Sequence, residues 1–110
     1  MDPNRWRLDG QLALVTGGSA GIGRAIAREL LGFGAEVLIV ARDGAALERT
    51  REELADEVPG GEVHALVADV VDEEQRREIL DWVEDRGDGL NILVNNAGGN
   101  HRRAAVDYTE

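Results

Sequence analysis

Cysteine and lysine are both absent from this chain of 110 residues, so all 12 of its basic residues are arginine. Without cysteine, the chain can form neither a disulfide framework nor a cysteine-based metal site. No apolar run approaches the ~20 residues that a membrane span requires, and residues 1–10 lack the apolar core of a signal peptide. From these absences we expect a cytoplasmic protein that does not associate with a membrane.

Positive charge is outweighed by negative charge, since 22 acidic residues against 12 arginines give the chain a formal net charge of -10. This acidic balance argues against nucleic acid as a partner. It does not argue against an anionic cofactor, because backbone amides and nearby arginines set the field at a small site. The length suits one small domain or part of a larger one, and no repeat or linker interrupts it. We therefore treat residues 1–110 as a single segment.

Glycine, by contrast, is concentrated in residues 16–23, which read Thr-Gly-Gly-Ser-Ala-Gly-Ile-Gly. Residues 12–15 ahead of them form an apolar run of strand length. The apolar residues behind them recur at helical spacing and predict one buried helix face: Ile22, Ile26, Leu30 and Phe33. The glycines are therefore predicted at a strand-to-helix turn, where a diphosphate can approach bare backbone and the positive end of a helix.

The spacing of the glycines discriminates between kinds of nucleotide-binding turn. A P-loop needs Lys and then Ser or Thr where this chain has Arg24 and Ala25. The common dinucleotide pattern Gly-x-Gly-x-x-Gly also fails, because Gly17, Gly21 and Gly23 read Gly-x-x-x-Gly-x-Gly. A tight turn without a ligand stays open as the alternative interpretation, since glycine is favoured in ordinary turns as well.

The rest of the chain alternates between predicted strands and helices. Strands are predicted at residues 36–41, 63–68 and 90–94. The first helix ends near Gly34, the second follows Asp43 as its N-cap, and the third follows Asp72 and runs to about Arg86. The residues predicted to face the sheet are Leu47, Leu54 and Val58 in the second helix and Ile79, Leu80 and Val83 in the third.

This alternation predicts an α/β protein with a parallel sheet and right-handed crossovers. By analogy with Rossmann-type doubly wound folds, we expect a βαβαβαβ unit with strand order 3-2-1-4.

Arg42 follows the second predicted strand, where an acidic residue would bind the ribose of NAD and an arginine would accommodate the extra phosphate of NADP. Arginine pairs with phosphate through two parallel hydrogen bonds and keeps its charge. We therefore favour NADP(H) as the cofactor. NAD(H) stays open because Asp43 is adjacent, although it is expected to cap a helix. A merely solvated Arg42 is the alternative.

The turn at residues 16–23 and the run Asn95, Asn96, Ala97 and Gly98 together resemble the short-chain dehydrogenase/reductase family. Residues 6–10, Arg42 and residues 90–94 are most similar to its tropinone-reductase-like members. The resemblance implies that Asp69 receives the adenine amino group with help from the main chain of Val70, and that Ala97 and Gly98 leave room for the adenosine ribose. A turn or capping role is the alternative for Asp69. The implied cofactor-binding residues are Thr16, Gly17, Ser19, Ala20, Gly21, Ile22, Gly23, Arg42, Asp69, Val70, Asn95, Ala97 and Gly98.

The family's reaction is hydride transfer between a nicotinamide and a carbonyl or alcohol carbon, in which a Tyr moves the proton and a Lys four residues later lowers its pKa. Tyr108 has no Lys after it, so we name no catalytic residue and expect Tyr108 near the start of a further helix. His64 and His101 lack the partners of a metal site, and none is predicted. The fourth strand would be an unprotected edge that invites self-association.

Three hypotheses follow for the function. The first is the N-terminal, cofactor-binding half of an oxidoreductase that acts on a small carbonyl or alcohol substrate, truncated before the catalytic half and forming a homo-oligomer when complete. The second is a catalytically silent dinucleotide-binding or oligomerisation module. The third is another nucleotide-binding class, such as a methyltransferase, which the glycine spacing and the asparagine pair disfavour.

Overall fold

The computed structural model describes residues 7–96 and the backbone of residues 105–108. Strands and helices alternate as predicted up to the fourth strand, and a fifth strand follows. In chain order the elements are β1 (Leu12–Thr16), α1 (Gly21–Gly32), β2 (Glu36–Ala41), α2 (Gly44–Glu57), β3 (Val63–Val67), α3 (Glu73–Arg86), β4 (Ile92–Asn95) and β5 (Ala105–Tyr108).

The strands form one sheet in the order β3-β2-β1-β4-β5. The first four strands are parallel, so the predicted order 3-2-1-4 is confirmed. In the centre of the sheet, Leu14 of β1 lies opposite Leu38 of β2 on one side and Leu93 of β4 on the other. Because parallel strands all end at the same edge, the turn after β1 and the residues after β2, β3 and β4 meet there.

β4 is not the edge of this sheet, contrary to the prediction. β5 pairs with it in the antiparallel direction, with Ile92 opposite Tyr108 and Asn95 opposite Ala105. The position of Tyr108 in a strand also corrects the expectation that it lies near a helix start. Pairing with β5 supplies hydrogen-bond partners to the backbone groups that β4 would otherwise expose, so the predicted self-association through β4 loses its basis.

One face of the sheet is covered by α1 and α2. Its core consists of alternate residues of the strands together with small and branched residues of the two helices, because alternate strand residues point to the same face. The buried members are Ala13, Val15, Ala27, Leu31, Ala35, Val37, Ile39, Leu47, Leu54, Val63, Ile92 and Val94. α3 covers the other face, where the buried members are Leu14, Leu38, Val40, Ala68 and Ile79.

The buried face of α1 is rotated by one residue from the predicted one. Gly23, Ala27 and Leu31 are buried, whereas Ile22 is 64% exposed and Phe33 is also exposed. The small residues Gly23 and Ala27 let the helix approach the sheet closely, which leaves Ile26 and Leu30 half-buried at the border of the contact.

The prediction for α3 was wrong at Leu80, which is exposed. Ile79 and Val83 are buried four residues apart, and Trp82 packs against the core cluster that contains Ile79. This inner stripe is narrow, and Leu80 lies about 100° around the helix from Ile79.

Helix ends follow the predicted capping residues. Asp43 accepts a hydrogen bond from the Ala46 N–H in α2, and Asp72 accepts one from the Gln75 N–H in α3. Gly34 has a φ of 97° just after α1, as predicted for a left-handed position. In the part of the chain that the structure describes, no helix is both long and apolar enough to traverse a lipid bilayer.

Candidate functional site

An open cleft of about 1260 Å³ lies at the carboxyl edge of the sheet. The strand order reverses between β1 and β4, because the chain builds outward from β1 to β3 and then crosses to β4 on the other side of β1. Such a switch point is where ligands bind in open α/β sheets, outside the carboxyl ends of the strands. The lining residues are Gly17, Ser19, Val40, Ala41, Arg42, Asp43, Ala68, Asp69, Val70, Val71, Arg76, Asn95 and Asn96.

The turn after β1 needs glycine for conformational and steric reasons. Gly17 has a φ of 68°, in the left-handed region that favours glycine, and its N–H donates to the Val40 carbonyl at 2.7 Å. A Cβ on Gly18 would lie 2.8 Å from the side chain of Ile39. The turn is therefore held directly against the end of β2, where Arg42 follows.

Gly23 sets the distance between α1 and the turn. A Cβ at this position would collide with the Gly17 carbonyl oxygen and would lie 2.9 Å from Nδ2 of Asn96. Both are closer than real Cβ atoms come to such neighbours. The first turn of α1 therefore packs against the glycine turn and the chain leaving β4.

The start of α1 differs from the starts of the other two helices. Ala20 is its N-cap residue, and no side chain caps the helix, whereas Asp43 and Asp72 cap α2 and α3. The first N–H groups of a helix have no partner within it and carry the positive end of its dipole. An uncapped start beside a glycine turn can accept an anion such as a diphosphate.

Thr16 joins the carboxyl ends of β1 and β4. Its buried hydroxyl lies 3.1 Å from Oδ1 of Asn95 and 3.4 Å from the Val94 carbonyl, and it accepts from the Asn96 N–H at 2.9 Å. The predicted site residues Thr16 and Asn95 are thus brought together, and they hydrogen-bond each other. Asn95 is exposed in the cleft, so its side chain is accessible to solvent while it is hydrogen-bonded to Thr16.

Arg42 lies in the cleft as predicted and is exposed. Within residues 7–96, no hydrogen bond or ion pair engages its guanidinium. Asp43 is engaged instead, because its Oδ1 accepts from the Ala46 N–H at 3.1 Å. The cation at the end of β2 is therefore available to a ligand, while the neighbouring carboxylate serves the helix.

Asp69 and Val70 also lie in the cleft, directly after β3. Oδ1 of Asp69 accepts from the Val71 N–H at 3.1 Å, which is the turn role considered as the alternative. The Asp69 N–H donates to Oε1 of Gln75 at 2.6 Å, and Arg76 donates to the Val70 carbonyl at 2.9 Å. This segment is thereby fixed to the first turns of α3, with the Asp69 carboxylate at the cleft wall.

Thr50 and Arg76, which also lie at this edge, were not predicted, and Asn96 was named only as part of the asparagine run. Thr50 is buried on α2, and its hydroxyl donates to the Ser19 carbonyl at 2.8 Å. The sequence does contain a signal for it, because Thr50 is a polar residue at helical spacing between the predicted inner residues Leu47 and Leu54. Arg76 and Asn96 line the cleft, and no spacing in the sequence indicated Arg76. The predicted residues Ala97 and Gly98, and also His101, lie outside the described residues.

His64 does have acidic neighbours, contrary to the prediction. Ligand atoms of Glu36, Glu62 and His64 lie within 4.8 Å of one another at the amino edge of the sheet. His64 Nε2 lies 2.7 Å from Oε2 of Glu36, and the guanidinium of Arg86 pairs with the same carboxylate. Arg86 also lies over the ring of Trp82. The arginine already neutralises negative charge that these acids would otherwise offer to a metal ion.

An ion-pair network joins α1 to α2 on the surface of the protein. Arg24 donates to Glu57 at 2.7 Å and to Glu53 at 3.3 Å, and Arg28 donates to Glu57 at 2.9 Å. The hydrogen bond from Arg24, followed by the one from Arg28, holds the pKa of Glu57 below its usual value. The same contact with Glu57 raises the pKa of Arg24. The charge of Arg24 is thus directed at α2 and not at a phosphate.

This doubly wound sheet, parallel in its first four strands and with a glycine turn between β1 and α1, defines a Rossmann-type α/β fold. The family model of the short chain dehydrogenases matches residues 11–110. The chain belongs to the short-chain dehydrogenase family.

Curated relatives share much of the sequence but are longer. A tropinone reductase homologue of Arabidopsis thaliana is 46% identical over 110 residues, which cover 98% of this chain and 40% of the relative. A tropinone reductase homologue of Datura stramonium is 42% identical over 106 residues, which cover 96% of this chain and 39% of the relative. The chain therefore spans about two fifths of the length of these relatives.

Solved structures superpose on most of this chain. RhlG of Pseudomonas aeruginosa, in an active-site complex with NADP, has a TM-score of 0.76 and 43% identity and matches 89% of this chain and 38% of its own. L-Sorbose reductase of Gluconobacter frateurii, complexed with NADPH and L-sorbose, has a TM-score of 0.80 and 33% identity, with 89% of this chain and 37% of its own covered.

Proposed function

We propose that this chain is the nicotinamide-dinucleotide-binding part of a short-chain dehydrogenase/reductase-type oxidoreductase, with NADP(H) as the favoured cofactor. The observation that carries the proposal is the uncapped start of α1 against the glycine turn, where Gly23 leaves no room for a side chain. Family membership supports it, as do the complexes of RhlG with NADP and of L-sorbose reductase with NADPH.

The residues of the cleft suit the parts of such a cofactor. The diphosphate would face the N–H groups at Ala20, Gly21 and Ile22, because these begin a helix without a side-chain cap. The adenine would approach Asp69 and Val70, as the family resemblance implies. When bound, the nicotinamide supplies or accepts a hydride at a carbonyl or alcohol carbon of a small-molecule substrate. The roles of Ala97 and Gly98 remain predictions.

Arg42 is the basis for favouring NADP(H). Its guanidinium is exposed in the cleft and, in the described structure, has no acidic partner. The engagement of Asp43 in capping α2 supports the same preference, since that carboxylate is then less available to a ribose hydroxyl. NAD(H) is the alternative cofactor.

A catalytically silent binding or oligomerisation module is the second candidate function. It is favoured by the absence of lysine, because no Tyr-x-x-x-Lys pair can be formed from these 110 residues. The intact mass of the polypeptide expressed from its own gene, read together with the sequence of that gene, discriminates between the two. A longer product that contains the pair supports the oxidoreductase, and a product of this length supports the module. Homo-oligomerisation and a cytoplasmic location stay predictions.

Calorimetric titration of the purified chain tests the cofactor proposal. We expect saturable binding of NADPH, weaker binding of NADH and no binding of S-adenosylmethionine. Binding of S-adenosylmethionine alone would support a methyltransferase-like site instead. Absence of binding by all three ligands to folded protein would contradict the proposal.

A further inference from the structure

Thr50 is a buried polar residue that the proposed function does not use. Its exposed fraction is 4%, and among the residues that the structure describes the other buried polar side chain is Thr16, at 5%. Both lie beside the glycine turn. Thr16 joins the end of β1 to β4, and Thr50 contacts the turn from α2 through the Ser19 carbonyl oxygen at 2.8 Å.

The partner chosen by the Thr50 hydroxyl is informative. A threonine inside a helix commonly bonds a carbonyl three or four residues earlier in its own helix. Here the hydroxyl reaches a carbonyl 31 positions away in sequence, on the segment that leads into α1. A valine would fill the same buried volume without a polar group. The hydrogen bond therefore fixes the orientation of the Ser19 carbonyl relative to α2, which packing alone does not specify.

The direction of the Ser19 carbonyl determines the direction of the Ala20 N–H in the same peptide unit. A trans peptide unit is planar, so the carbonyl of Ser19 and the N–H of Ala20 point in opposite directions. With the carbonyl held toward α2, the Ala20 N–H points away from α2. In residues 7–96 this N–H has no hydrogen-bond acceptor, and Ala20 is the exposed N-cap of α1.

We propose that Thr50 is a positioning residue for the dinucleotide diphosphate, acting through the Ser19–Ala20 peptide. Its hydroxyl keeps the Ala20 N–H directed outward, beside the first N–H groups of α1, so that they present donors to one anionic group. Thr50 itself is buried and does not touch the cofactor. This inference rests on the proposed function, because it assigns the residue a role in binding the same ligand.

The test compares the affinity for NADPH of the original chain with that of three variants. Thr50→Val keeps the branched shape and removes the hydroxyl, whereas Thr50→Ser keeps the hydroxyl and removes the methyl group. We expect Thr50→Val to raise the Kd about 3- to 10-fold, the range for one hydrogen bond, and Thr50→Ser to stay within about 2-fold of the original. Leu54→Met, on the same buried stripe of α2, controls for altered packing and should leave the Kd unchanged.

Each outcome decides the inference. An unchanged Kd in Thr50→Val, with NADPH still bound by the original chain, would overturn the role of Thr50 and leave the proposed function standing. Equal weakening by Thr50→Val and Thr50→Ser would also overturn it, because packing would then be the cause. Failure of the original chain to bind NADPH would overturn both. If Thr50→Val does not fold, Thr50→Ala replaces it with the same expectation, since alanine favours the helix.

Discussion

Gly23 is a residue at which α1 packs tightly against the chain that leaves β1. Because a Cβ there would collide with the Gly17 carbonyl and press on Asn96, we expect Gly23→Ala to displace the start of the helix and to destabilise the fold by about 1–3 kcal/mol. Urea unfolding measures this loss. The matched control is Gly32→Ala in the same helix, where a Cβ meets nothing within 4 Å.

Gly32→Ala should be neutral or stabilising by up to about 1 kcal/mol, because alanine is the better helix former. Equal destabilisation by the two substitutions would show that loss of glycine in α1, and not the contact at Gly23, is responsible.

Arg42 is the residue on which the choice between the two pyridine nucleotides depends. Removing it in Arg42→Ala should weaken NADPH binding by about 1–3 kcal/mol, the range for a charge-assisted contact, and should leave NADH binding nearly unchanged. Calorimetry with both nucleotides measures the difference. Arg49→Ala removes the same charge from the exposed surface of α2 and should change neither affinity. Similar weakening of both nucleotides by Arg42→Ala would contradict the preference for NADP(H).

Single residues were predictable where a local rule governs them. Asp43 and Asp72 could be recognised as N-caps because capping is decided within a few residues of sequence. The contact of Thr50 with Ser19 could not, since it depends on how α2 lies across the turn. The turn contacts of Asp69 were anticipated only as an alternative, because sequence alone does not decide between a turn and a ligand.

At the level of elements, α1 and α2 are linked by ion pairs as well as by the shared core. We expect Glu57→Gln to remove a pH-dependent part of the stability. The folded pKa of Glu57 lies below its ordinary value because Arg24 and Arg28 contact it. The stabilisation that Glu57 gives to the folded state is therefore complete above the pKa of an ordinary glutamate. It declines as the pH falls from there, and it is lost below the pKa of Glu57 in the folded protein.

Urea unfolding of the original chain and of Glu57→Gln, at a series of acidic pH values, measures the contribution of Glu57. The difference in the free energy of unfolding between the two proteins should shrink toward zero as the pH falls. It should also become smaller in high salt, because the charged groups are exposed. Glu78→Gln, on the exposed surface of α3, is the control and should show no such trend. A difference that does not vary with pH would contradict the assignment.

The faces of the helices were less predictable than their positions. Apolar spacing located α1 correctly but predicted Ile22 on the buried face in place of Gly23. Hydrophobic periodicity does not register how closely a helix with small residues can approach the sheet. In α3 the apolar Leu80 was assigned to the core although the contact is only wide enough for Ile79 and Val83 with Trp82. The width of a helix–sheet contact is a tertiary property that periodicity does not contain.

On the scale of the whole molecule, the parallel direction of the first four strands followed from the alternation of elements, and their order followed from the analogy with doubly wound folds. β5 did not, because its antiparallel pairing with β4 breaks that alternation. The two edges of the sheet also differ in character. The carboxyl edge holds the glycine turn, Arg42 and the uncapped helix start, whereas Glu36, Glu62 and His64 lie at the amino edge with Arg86.

The central claim is that a nicotinamide dinucleotide binds at the carboxyl edge, with its diphosphate at the start of α1. The most direct measurement is a nuclear magnetic resonance titration of the isotope-labelled chain with NADPH, following each backbone amide. The account predicts that the largest shifts occur at residues 17–23 and at Arg42, Asp69 and Val70. Unchanged spectra at saturating NADPH, or shifts confined to the opposite edge around Glu36 and Glu62, would contradict it.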